Sequence, residues 1–240
     1  SWRYGGQLTA DELVRSTDLT NGLFKDRTYA TMSLVPTTNT DLQNGDKLVW
    51  RFGATVDYSN HDSNEVSPLL GLTLSHSDSG GTTDYSIEYA ATSQVPGYTA
   101  LNSNPSGLFG GNPLLGRETA KQLSFSVERN AVDWQLKTTL FSRLDDDLVD
   151  WTYATGAPSA RQANPVDMDV IGFEVFVART WESVDLVVGY TALEKDADYG
   201  LAQVDASFYA LNFAKHRATL AFAYRFAEGF ELRLDNEYRI

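Results

Sequence analysis

The dominant pattern along the chain is strict alternation of apolar and polar positions. From Phe230 onward, Phe230, Leu232, Leu234, Tyr238 and Ile240 fall on one side, and Glu231, Arg233, Asp235, Glu237 and Arg239 on the other. Asn236 is the one polar member of the apolar row. The same period of two sets Leu220, Phe222, Tyr224 and Phe226 against Arg217, Thr219, Ala221, Ala223 and Arg225. It also sets Leu48, Trp50, Phe52, Ala54, Val56 and Tyr58 against Lys47, Val49, Arg51, Gly53, Thr55 and Asp57. Shorter runs occur at Tyr85/Ile87/Tyr89, Leu123/Phe125/Val127, Val132/Trp134/Leu136/Leu140 and Val184/Leu186/Val188/Tyr190. Side chains of a strand point alternately to its two faces, so the pattern predicts about ten strands whose faces meet different surroundings.

Strand length sharpens this. Soluble strands average about 5 to 6 residues, whereas a tilted strand crossing a bilayer needs about 9 to 11. The segments 47–58, 131–143, 183–194, 216–227 and 229–240 are all of the longer kind. Arg129-Asn130, Thr180-Trp181-Glu182 and Ala227-Glu228-Gly229 read as tight turns, and 94–118, 154–167 and 195–214 as long links rich in Gly, Asn, Pro, Ser and Asp. Alternating short and long connections place all short turns at one end of an antiparallel meander and all long loops at the other, as in outer-membrane barrels.

A bilayer decides which face is which, because Arg or Lys at the midplane costs about 2 to 4 kcal/mol. In a membrane barrel the Phe230–Ile240 row meets lipid and the charged row lines a wet interior. The alternation with its faces reversed also describes a soluble β-sandwich or barrel module, for instance a carbohydrate-binding one, whose apolar side is its core.

The first forty residues are less regular. Thr9-Ala10-Asp11-Glu12 has the spacing of a helix capping box and predicts a short loop helix, and Thr37–Asp41 through Gly45-Asp46 reads as a polar loop. No internal repeat or linker divides the 240 residues, which read as a single unit.

Composition narrows the partners. With 19 basic and 32 acidic residues the net charge is −13, a field that repels phosphate backbones and argues against a nucleic-acid partner. There is no cysteine, so disulfides and thiolate chemistry are out. No uncharged apolar run reaches the roughly 18 to 20 residues of a membrane helix, and Ser1-Trp2-Arg3 does not read as a signal peptide.

Candidate chemistry is sparse. His61, His76 and His216 lie far apart, and no HExxH, GxSxG or phosphate-loop phrase occurs, so no catalytic residue, metal ligand set or cofactor is assigned and the chain reads as a non-enzyme. A small-barrel hydrolase would need one of those histidines beside an acid and a nucleophile. Asp145-Asp146-Asp147 with Asp150 offers oxygens to a hard cation, but a solvated loop is the simpler reading, as it is for Asn60–Glu65. The row Glu231, Arg233, Asp235, Glu237 and Arg239, with Arg217 and Arg225, predicts a cross-strand ladder of opposite charges. Recognition belongs on the long loops, where Tyr98, Phe109, Tyr153, Tyr199, Phe208 and Tyr209 are the candidate ligand-binding residues.

Two stretches carry a resemblance. Tyr89-Ala90-Ala91-Thr92-Ser93-Gln94-Val95-Pro96-Gly97-Tyr98, followed by Gly111-Asn112-Pro113-Leu114-Leu115-Gly116-Arg117-Glu118-Thr119, resembles the barrel of TonB-dependent outer-membrane receptors, in which a strand runs into a long extracellular loop and a GNP phrase precedes the next strand. The succession continues through Trp134–Phe141, Asp146–Trp151, a loop with Asn164, Gly172-Phe173-Glu174 and Phe208–Arg217. The resemblance covers residues 47–240. It implies an all-β, antiparallel up-and-down transmembrane wall of about ten strands within a barrel of about 22. It further implies a bacterial outer-membrane receptor for energised uptake of a scarce nutrient such as an iron-siderophore, cobalamin or a glycan. The implied partners are outer-membrane lipid, a small nutrient ligand and a TonB-type energy-coupling protein acting through a plug. Neither plug, TonB box nor closing aromatic strand is recognisable in these residues.

Overall fold

The computed structural model describes residues 1–14, 19, 24–157 and 161–240. One antiparallel meander accounts for nearly all of it, in the order β1 (Trp2–Glu12), β2 (Asp26–Asp41), β3 (Lys47–Ser59), β4 (Glu65–Asp78), β5 (Gly81–Gln94), α1 (Tyr98–Asn102), β6 (Phe109–Gly110), β7 (Glu118–Asn130), β8 (Trp134–Tyr153), β9 (Arg161–Thr180), β10 (Val184–Asp198), β11 (Ala206–Ser207), β12 (His216–Ala227) and β13 (Phe230–Arg239). Eleven long strands form the wall, each paired with its neighbours in sequence, while β6 and β11 are two-residue pieces lying against β9 and β8. The connections 42–46, 79–80, 131–133, 181–183 and 228–229 are short and share one end; 13–25, 60–64, 95–117, 154–160 and 199–215 share the other.

The register aligns the apolar positions into continuous rungs. Trp50 pairs with Leu72, Leu72 with Ile87, Ile87 with Phe125, Phe125 with Leu140 and Leu140 with Phe173, so one apolar line crosses six strands. All but the half-buried Leu72 stay exposed, Leu140 at 53% and Phe125 at 50%, because no second layer covers them among the described residues. A soluble sandwich would press this face against another sheet. The opposite face is polar: Arg51 pairs with Glu88 at 2.7 Å, Thr73 with Ser86 at 2.9 Å and Arg217 with Glu237 at 3.0 Å. The predicted cross-strand charge ladder forms in part: Arg217 reaches Glu237 and Arg225 bridges Asp185 on β10 and Glu231 on β13, whereas Arg233–Asp235 and Arg239–Glu237 pair along β13 itself.

A strand of 13 residues, such as β3, rises about 43 Å, or about 33 Å when tilted by about 40°, enough to cross a hydrocarbon core of about 30 Å. At 20 residues each, β8 and β9 are longer than that requires and extend as a hairpin past their long neighbours β7 and β10, meeting only the short pieces β6 and β11. The wall is an open arc, since the outer edges of β1 and β13 have no partner among the described residues.

Several expectations need correction. The capping-box residues Thr9–Glu12 are not helical; they pair with Asp26–Tyr29 in the β1–β2 ladder, whose tertiary pairing overrides the local signal. Thr37–Asp41 is strand rather than loop, so two further strands precede Lys47. The β2–β3 ladder lapses at Val35 and Pro36, where proline has no N–H to give. Gly53 is required opposite that gap, because a Cβ there would lie 2.2 Å from the Leu34 carbonyl oxygen. The Asp145–Asp147 run is not a loop. It is a bulge inside β8, where the register shifts between Asp145 and Leu148 and Asp147 has φ 55°. Residues 161–167 and Asn164, expected in a link, belong to β9.

Candidate functional site

The buried hydrophobic clusters among the described residues lie at the long-loop end, two small groups on opposite faces of the β8–β9 hairpin. Alternation explains the split. Val149, Trp151 and Ala163 point to one face, and Leu148, Val166, Met168 and Val170 to the other.

The link 95–117 covers the first face. Helix α1 brings Ala100 and Leu101 onto Ala163 and Trp151, with Leu115 and Phe24 closing the cluster. The GNP phrase now has a physical meaning. Gly111 sits so close to the Ser103 and Ala100 backbone that a Cβ would fall within 3.0 Å of three of their atoms. The Asn112 N–H donates to the Ala100 carbonyl at 2.7 Å while its side-chain oxygen accepts the Leu114 N–H at 3.0 Å. Thus folded, the link lays Phe109 and Gly110 parallel to Arg161 and Gln162, with the Phe109 ring edge-on to Trp151 at 5.2 Å.

The link 199–215 covers the second face. Ala210 packs on Val166, Met168 and Val170, and β11 pairs with Thr152 and Tyr153. Its anchor is Asp150, wholly buried, whose carboxylate accepts the N–H groups of Phe208, Tyr209 and Ala210 at 3.0–3.1 Å and the Tyr199 hydroxyl at 2.9 Å. Burial first, and then the Asp150 carboxylate beside it, push the Tyr199 hydroxyl up to about 12 against an opposing Ser207 hydrogen bond. Asp205 adds a second tie by accepting the Thr155 N–H at 2.7 Å and hydroxyl at 2.8 Å, which hold its carboxyl below the ordinary value.

The six candidate aromatics therefore fall into distinct places. Phe109, Tyr153 and Phe208 gather around Trp151 and Arg161, whose guanidinium lies 4.8 Å from the Phe208 ring centre and 5.9 Å from that of Tyr153. Tyr209 is next to this group and half-exposed, its carbonyl accepting a hydrogen bond from Lys195. Tyr199 points inward as part of the anchor. Tyr98 is elsewhere: its hydroxyl donates to the Asp11 carboxylate at 2.7 Å, its ring meets Phe24 and the Arg27 guanidinium, and burial, then Asp11, push its hydroxyl up to about 12. Trp151 and Arg161 are not among the sequence candidates, and Asp150 is there only as an oxygen donor to a hard cation, a role it does not take here. The alternation of Leu148, Asp150 and Thr152 with Val149, Trp151 and Tyr153 was a signal for them, hidden behind the aspartate bulge.

The histidines stay apart. His61 contacts the Leu115 carbonyl and the Phe24 ring, His76 pairs with Asp46 at 2.6 Å, and His216 bonds the Tyr190 hydroxyl. No cluster of histidine and acidic residues fit for a metal occurs among the described residues. What the cap presents is a surface of aromatic rings, exposed leucines and one guanidinium, suited to binding by contact area.

No family model matches the sequence, and no curated protein matches it. Solved structures do match. The FrpB iron transporter from Neisseria meningitidis (F3-3 variant) is 13% identical over 99% of this chain and 40% of that one, with a TM-score of 0.60. The ferric enterobactin receptor PfeA from Pseudomonas aeruginosa, as its G324V mutant, is 14% identical over 99% and 37%, at 0.58. The alcaligin outer-membrane receptor FauA from Bordetella pertussis is 15% identical over 89% and 38%, at 0.53. The fold is that of the barrel wall of TonB-dependent receptors. At these identities the likeness is one of fold, and the chain spans about two fifths of the length of the receptor structures named here. In a membrane barrel wall, exposed apolar rungs face hydrocarbon and the polar face lines the lumen.

Proposed function

We propose that this chain is part of the wall of a bacterial outer-membrane receptor that captures a scarce small nutrient on its long loops for energised uptake, without covalent chemistry. The observation that carries the reading is the capped hairpin: a rigid β8–β9 projection on a lipid-facing wall, with two long links folded onto it so that Phe109, Tyr153 and Phe208 gather around Trp151 and Arg161, next to the exposed Tyr209. Aromatic side chains give contact area at low entropic cost, and a rigid support limits the ordering paid on binding. Iron chelates and copper are the first ligand classes to try, since matching structures are described as an iron transporter, a ferric enterobactin receptor and a copper transporter. The open edges of β1 and β13 would leave two rows of N–H and C=O groups unpaired in hydrocarbon, at several kcal/mol per group, so the working barrel is completed by further strands. Coupling to a TonB-type protein through a plug belongs to that completed receptor.

Cells depending on the full-length receptor are tested for uptake of labelled ferric chelates, cobalamin, glycans and copper, with and without deletion of residues 201–214. The reading expects uptake of at least one of these to be lost on deletion while the barrel still assembles. Unchanged uptake of every ligand that the intact receptor imports would remove the loop assignment.

A further inference from the structure

We propose that Asp150 is the positioning residue of the cap, and that through Asp150 and its neighbour Trp151 the β8–β9 hairpin couples the two long loops into a single unit. The recognition role proposed above gives this coupling its purpose, while the contacts stand independently of it. An isolated buried carboxylate is strongly disfavoured, and here all four donors that satisfy it come from one loop: the Tyr199 hydroxyl and three successive N–H groups from Phe208 to Ala210. Successive N–H groups converging on one anion form a nest, so the turn that carries Phe208 and Tyr209 is shaped by the carboxylate it encloses.

One residue further along β8, the side chain turns to the other face. Trp151 receives the edge of Phe109 from the link 95–117, and its carbonyl accepts the same Phe208 N–H at 3.1 Å that Asp150 holds. Arg161 repeats the connection on β9, its N–H donating to the Leu108 carbonyl of one loop at 3.0 Å and its guanidinium lying over the Phe208 ring of the other. Two cross-links one strand apart thus join loops that lie on opposite faces and are distant in sequence. A molecule that orders one loop will order the other, which lowers the entropic cost of engaging the second.

Hydrogen exchange on the detergent-solubilised receptor, read by mass spectrometry without any ligand, tests this. Asp150→Asn keeps the shape but turns an amide donor toward N–H donors. The expected result is exchange about tenfold or more faster over residues 206–211 and about threefold faster over 108–112, with the rungs from Trp50 to Phe173 unchanged as the sign of an intact wall. Unchanged protection at 206–211 would overturn the positioning role, and a change confined to 199–215 would overturn the coupling. If Asp150→Asn does not assemble, Tyr199→Phe removes one donor and leaves the three backbone ones; several-fold faster exchange in both loops supports the proposal, and no change in either overturns it. A failed nutrient screen would leave these outcomes as they stand, and a failed exchange test would leave the uptake result as it stands.

Discussion

The spanning wall and the cap above it share strands β8 and β9 but are held by different forces. In the wall, the apolar rung from Trp50 to Phe173 is exposed at every member but the half-buried Leu72, and the strands are joined by backbone ladders and by polar pairs such as Arg51–Glu88 on the lumen face. In the cap, Leu101, Ala163, Val166 and Met168 are almost wholly buried, and Asp150 is enclosed by a loop. The wall therefore depends on its solvent for apolar burial, whereas the cap brings its own. A change on the outward face should act through lipid, and a change in the cap through packing and hydrogen bonds.

The largest expected effect breaks the wall. Leu140→Arg places a cation in the apolar rung, between Phe125 and Phe173, and should cost about 2 to 4 kcal/mol in folding into bilayers, while Thr139→Arg on the lumen face should cost far less. Denaturant titrations in lipid vesicles measure both, and equal costs would contradict the assignment of faces. Next comes Gly172, which lies under the ring of its cross-strand partner Phe141; a Cβ there would be 2.2 Å from that ring. Gly172→Val should destabilise the cap by about 1 to 3 kcal/mol through overpacking, seen as faster proteolysis of 199–215 with the wall intact.

Acid gives a smaller effect. The Asp205 carboxyl is held below its ordinary value by Thr155, so its tie is complete above the ordinary value of 3.8 and is lost as pH falls through the lowered one. Protection over 199–215, taken relative to the intrinsic exchange rate at each pH, should therefore fall in that acid window, and Asp205→Asn should remove the dependence. The smallest effect belongs to the lumen ladder. Arg217→Gln breaks an exposed pair with Glu237 and should change stability by no more than about 1 kcal/mol, less at high salt.

Much of the wall was legible in sequence because one physical signal repeats there. The predicted segment 216–227 coincides with β12, and 47–58 and 229–240 lie within a residue of β3 and β13, since a lipid face and a wet face demand unbroken alternation. Where that demand lapses, so did the reading. Strand β1 carries Gly5 and Gly6, and the end of β2 is a run of threonines and Asn39, polar on both faces. Above the lipid, the bulge at Asp147 and Pro165 within β9 disguised the hairpin as loop. In the site, Phe109, Tyr153 and Phe208 were visible as loop aromatics. The roles of Asp150, Trp151 and Arg161 arise from pairings with residues about 40 to 60 positions away, which no local pattern encodes.

Because the chain has no cysteine, single labels can be placed at will. Spin labels at residues 122 to 127 of β7, introduced one at a time by cysteine substitution and read in bilayers, measure access to apolar oxygen and to a polar nickel complex. The account predicts that Leu123→Cys, Phe125→Cys and Val127→Cys report oxygen, and that Gln122→Cys, Ser124→Cys and Ser126→Cys report the nickel complex. Labels at 123, 125 and 127 shielded from both reagents, in a chain that stays monodisperse without detergent, would contradict it.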